Sequence, residues 1–139
     1  MLTGDRLIRG APHAKMAQRL GLPQCHVSRV MSKRGLRISV QDVVLCRVGS
    51  EIRAFMVHAF VQADPVLRGP HALCVQYCRR NDIRWARDRR EGNVTVLIPS
   101  SSILDVAIWR PVPGVWGQDN AVIEVLLPGS LAYDRPGEV

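Results

Sequence analysis

Five side chains close together in the chain, Gln24, Cys25, His26, Ser28 and Arg29, include the types that read the edges of DNA bases. A glutamine amide pairs bidentately with adenine and an arginine fork with guanine, while histidine and serine each add a single base-edge or phosphate bond. Lys15, Arg19, Lys33, Arg34 and Arg37 bracket this group with cations suited to phosphate oxygens, which fix position and carry no sequence information. The chemistry these residues suggest is recognition of double-stranded DNA.

Such side chains work only when one rigid element presents them together, and the stretch AKMAQRLGLPQCHVSRVMS, residues 14–32, predicts a helix-turn-helix. A first helix is expected from about His13 to Leu20, with Ala17 where two helices approach closely. Gly21 supplies a left-handed stop between Leu20 and Leu22. Pro23 then suits the first turn of a second helix running through Gln24 to Met31. At helical spacing Val27 and Val30 close a small core with Met16, Leu20 and Leu22, leaving the five reading residues outward. The plain alternative is a helical hairpin that only packs.

Ala17, Gly21 four residues later, Val27 six after that, and the run Val27-Ser28-Arg29-Val30 resemble the helix-turn-helix of LacI-type repressors. The preceding Leu7-Ile8-Arg9-Gly10-Ala11-Pro12-His13-Ala14 is similar to the approach to that motif in plasmid KorA (TrfB-type) repressors, which read L-x-x-G-x-P-x-A. The resemblance covers residues 7–37, about a quarter of the chain. It implies operator binding by residues 1–37 as a DNA-binding domain.

Charge placement agrees with that division. Residues 1–37 hold Arg6, Arg9, Lys15, Arg19, Arg29, Lys33, Arg34 and Arg37 against Asp5 alone, which equals the net charge of +7 of all 139 residues. The remainder is balanced, so the whole cationic excess falls on the segment expected to meet a phosphate backbone. No apolar run reaches the length of a signal peptide or a membrane span, which predicts a cytoplasmic protein without a membrane partner. His71-x-x-Cys74-x-x-x-Cys78, with Cys25, His26 or His58 as a fourth ligand, invites a zinc site. Small buried hydrophobes on one helix face explain Cys74 and Cys78 more simply, so neither metal nor cofactor is expected. No nucleophile elbow, P-loop, zinc-protease motif or dinucleotide fingerprint occurs, and Ser100 to Ser102 form no recognisable triad, which argues against an enzyme.

Residues 38–139 predict a mixed α/β dimerisation or effector domain, and the chain as a whole an α+β protein. Apolar residues from Val40 to Phe60 recur at three- and four-residue steps after an N-cap formed by Ser39 and Asp42, which predicts one or two helices. A hairpin of Val43 to Val48 and Ile52 to Val61 across Gly49-Ser50 is the competing reading, because the segment is rich in β-branched residues. A helix is expected over 70–81 and a β-hairpin of Ile83 to Arg87 with Val94 to Ile98. The arginines between Arg79 and Arg90 could make that hairpin a DNA wing or a salt-bridged surface. Ile103 to Trp109 is an element of open type, and Ala121 to Leu127 a last strand. Together these features predict a DNA-binding transcriptional regulator, a homodimeric repressor whose two readers lie one helical turn apart. The alternatives are a protein-interaction factor localised to DNA, or a sensor of a small-molecule effector fused to a DNA reader.

Overall fold

The computed structural model describes residues 17–22, 25–63, 66–87, 95–112 and 122–127. These residues form strands almost throughout: β1 (His26–Ser28), β2 (Val30–Lys33), β3 (Leu36–Ser39), β4 (Val43–Val48), β5 (Glu51–Gln62), β6 (His71–Arg79), β7 (Arg84–Arg87), β8 (Thr95–Pro99), β9 (Ile103–Pro111) and β10 (Val122–Leu126). A 3-10 turn at Ser100–Ser102 joins β8 to β9. The helix-turn-helix followed by a mixed α/β domain is therefore corrected to a β-barrel protein. Residues 17–20 are helical and Gly21 does turn at positive φ, but the expected second helix is β1, a bend at Arg29 and the start of β2.

The strands run β5-β4-β9-β10-β7-β6, and pairing of β6 with β5 closes them into a six-stranded barrel. Two long strands also reach beyond it. β5 pairs with β4 through Glu51 to Met56 and then with β1 through Phe60 to Gln62. β6 pairs with β7 through Tyr77 to Arg79 and with β8 through His71 to Val75. The barrel thus grades into a four-stranded platform, β1-β5-β6-β8. An irregularity between Val57 and Ala59 marks the change on β5, placing His58 as the extra residue of a bulge.

Three cores follow. Val43, Leu45, Met56, Tyr77, Trp85 and Ile123, with their neighbours, fill the barrel. Beyond the bulge the same side of the sheet carries Ala59, Val61 and Leu73, which pack with Ala17 of the helical turn, Cys25 and Val27. On the opposite side Val44, Phe55, Val57, Phe60 and Cys74 lie under Met31 and Ile38 of the separate β2–β3 hairpin.

That double coverage explains why the sequence suggests helices. Val43 to Cys46, Ala54 to Val57 and Ala72 to Val75 are each buried on both faces. A strand buried on both sides reads as an unbroken apolar run instead of an alternation, and its residues then satisfy helical spacing by accident. The competing hairpin across Gly49-Ser50 is the arrangement found, with Val48 opposite Glu51. The helix expected over 70–81 is strand β6. Ser39 and Asp42 cap no helix; the Ser39 amide donates to Asp42 Oδ2 at 2.8 Å inside the turn from β3 to β4. The two strands expected as a β7–β8 hairpin exist, but both lie along β6 rather than against each other. A boundary after Arg37 falls within β3. Among the described residues no helix is long and apolar enough to cross a membrane.

Candidate nucleic-acid interface

Two exposed cations of the leading segment, Arg34 and Arg37, lie on the β2–β3 ribbon, and a third, Arg29, lies in the bend that enters it. Its register pairs Val30 with Ser39, Met31 with Ile38, Ser32 with Arg37 and Lys33 with Leu36, leaving a two-residue tip of Arg34 and Gly35. Both tip residues have positive φ, 50° and 79°, as the reversed turn that matches the right-handed twist of a hairpin requires. Alternation then sorts the side chains. Met31 and Ile38 are wholly buried against the barrel wall, whereas Arg37 and the tip arginine face solvent.

The ribbon is held at several points. Val40 N donates to Arg29 O at 2.9 Å and Gln41 N to Val57 O at 2.8 Å, fixing its base to itself and to β5. Lys33 Nζ donates to Ser100 O at 2.6 Å and to Ile103 O at 2.7 Å, pinning the tip end to the 3-10 turn. Burial, with Arg34 beside it, pulls the Lys33 ammonium below its ordinary pKa. Lys33 is a clasp within the fold rather than an outward phosphate ligand.

The other predicted site residues divide by strand parity. Arg29, in the bend between β1 and β2, is exposed, as are His26 on the edge strand and Arg19 on the helical turn. Ser28 is 2% exposed, and its hydroxyl donates to Val30 O at 2.8 Å while accepting from Val30 N at 3.2 Å. Cys25 is buried, and burial pushes its thiol pKa up. Neither Cys25 nor Ser28 can reach a base edge from these positions. Gln24 and Lys15 lie outside the described residues. The structure thus places Arg37 along the ribbon, Arg34 at its tip and Arg29 at its base, with His26 on the neighbouring edge, and residues 25–41 contain no acid. The mark of this ribbon in the sequence is Gly35 midway between Met31 and Ile38, and it is easily read as a linker.

The arginines of β6 and β7 are engaged differently. Arg79 lies over the Trp85 ring, 5.6 Å from its centroid, and donates to the carbonyls of Asn81 and Asp82, each at 3.2 Å. Arg87 stands opposite Tyr77 in register and hydrogen-bonds its hydroxyl. His58, at the bulge, is held below its ordinary pKa by burial and by Arg87. Arg79 and Arg87 are thus tied into the fold, with Asp82 Oδ1 3.9 Å from Arg79, whereas Arg80 and Arg84 are exposed and Arg89 and Arg90 lie outside the described residues. On β6, His71 faces the opposite side from Cys74 and Cys78, and those two are four strand residues apart, about 13 Å, so the three do not converge on one ion. Among the described residues no group of three or more histidines, cysteines and acids is placed to hold a metal. Compared with protein families, with curated proteins and with solved structures, the chain matches none.

Proposed function

We propose that this protein is a DNA-binding transcriptional regulator, a homodimeric repressor that engages duplex DNA with the β2–β3 ribbon instead of a recognition helix. The observation that supports this reading is a two-stranded ribbon, hydrogen-bonded to the barrel at base and tip, whose exposed charges, Arg34 and Arg37 with Arg29 at its base, are all positive. A ribbon of two strands fits the major groove, about 12 Å wide, and an arginine fork there pairs with guanine O6 and N7. Arginines that miss a base still release counterions from phosphate. One ribbon offers few contacts, and a second copy on the same duplex raises the effective concentration of each.

The test is selection of binding sites from random duplexes, followed by anisotropy titrations of the selected site over a range of salt. Arg34→Ala and Arg37→Ala are expected to weaken specific binding by about 1–3 kcal/mol where they read a base. Equal loss on random duplex would assign them to phosphate. Affinity and salt dependence that ignore both substitutions would remove the ribbon from the interface.

A further inference from the structure

We infer that the outer face of β9 and β10 is the surface on which two copies of this chain pair. Ile108 and Leu126 stand opposite each other in register there, 73% and 61% exposed, on a sheet whose other side is core. Ile83, 47% exposed, lies beside them, because its carbonyl accepts from Val125 N at 2.7 Å. Together they border an open depression of about 350 Å³. Val106, two residues before Ile108 on the same face, is already packed under the ribbon. Among the described residues the cover stops between them.

Both strands lie inside the barrel, β9 between β4 and β10 and β10 between β9 and β7, so neither is an edge strand for an incoming strand to extend. A partner must lie face to face. The charges on this face point to a second copy. Arg84, Glu124 and Arg110 are cross-strand neighbours on β7, β10 and β9, giving a row of alternating sign, with Arg110 Nε on Glu124 Oε2 at 2.6 Å. A row of that kind complements itself. Under a two-fold axis and a shift of one strand, an arginine of each copy meets the glutamate of the other, and the apolar pairs of the two copies meet beside it. The inference rests on the homodimer of the proposed function and names its seam, which begins at the margin of the ribbon.

Sedimentation equilibrium at tens of micromolar without DNA tests it. The wild-type protein is expected to show the mass of a dimer. Ile108→Asp, and independently Leu126→Asp, should dissociate it at least 100-fold more easily while circular dichroism stays unchanged. Arg110→Glu should weaken pairing and Glu124→Arg on the same chain should restore it. A wild-type monomer throughout, or a dimer indifferent to both aspartates, would overturn the assignment. Ribbon reading is scored separately, since a monomeric Ile108→Asp protein should still lose affinity for a half-site when Arg34 and Arg37 are removed.

Discussion

The Lys33 ammonium reaches across to the carbonyl of Ile103, 2.7 Å away, and so bolts the ribbon to a strand seventy residues further along the chain. A second bond to Ser100 O completes the clasp. Lys33→Met keeps the aliphatic stem and removes both bonds, and should cost about 1.5–3 kcal/mol in urea denaturation, nearer the lower figure because water can reach the site. The same variant should leave the salt dependence of duplex binding unchanged. Arg34→Ala and Arg37→Ala, by contrast, should each reduce the slope by about one where they hold phosphate.

The ribbon tip makes an opposite pair of predictions for stability. Gly35 has φ +79°, and Gly35→Val should lower stability by about 1–2 kcal/mol, read from the denaturation midpoint. Arg34 holds φ 50° without the ease of glycine or asparagine, so Arg34→Asn should raise the midpoint slightly while weakening duplex binding. A single substitution that stabilises the fold and impairs binding separates the two roles of the tip.

Buried thiols give the protein an alkaline limit. Burial raises the Cys46 pKa from 9.0 to about 11, against smaller lowering by a hydrogen bond with Ser102 and by Lys33. Burial also pushes Cys74 well up. Between pH 9 and 11 the unfolded chain gives up the Cys46 proton while the folded chain keeps it, so folding stability is whole below pH 9 and falls as pH rises. The loss from Cys46 should be on the order of 2 kcal/mol by pH 11, and Cys46→Ala should flatten the measured slope. In thiol labelling at neutral pH, half-buried Cys78 should react first, with Cys46 and Cys74 reacting only as the ribbon lifts from the barrel wall.

Neighbouring residues on β10 should answer truncation in opposite ways. Ile123 is fully buried in the barrel, and Ile123→Ala should cost about 2–5 kcal/mol in thermal or chemical denaturation. Leu126, facing out, should tolerate alanine to within about 0.5 kcal/mol when the measurement is made on monomeric Ile108→Asp protein.

How far the fold was legible depends on how many faces each strand buries. β10 has one buried face, Ile123 and Val125 alternating with residues that are not fully buried, and the sequence marks it within a residue at each end. β4, β5 and β6 are covered on both sides through most of their buried runs, so their periodicity is erased and the helical reading prevails. The Gly49-Ser50 turn carried the better signal and was outweighed by Ala54, Ala59 and the polar residues around them. Of the candidate site, the cationic character of Arg29, Arg34 and Arg37 was legible from charge placement alone. Their presentation was not, because Met31 and Ile38 bury only once a barrel wall lies beneath them, and nothing local to residues 30–39 encodes that wall.

One residue, His58, sets the phase of β5. Ahead of it Ala54 and Met56 look into the barrel, and past it Ala59 and Val61 keep that orientation although the numbering has changed from even to odd. Drawing His58 into the ladder opposite Leu73 would preserve composition and length yet turn the far half of the strand over. Phe60 would then crowd the alanines beneath the helical turn, and the ribbon would be left resting on small side chains. The footing of the basic ribbon is thus set by one residue held out of the ladder in the middle of a strand that never touches DNA in this scheme.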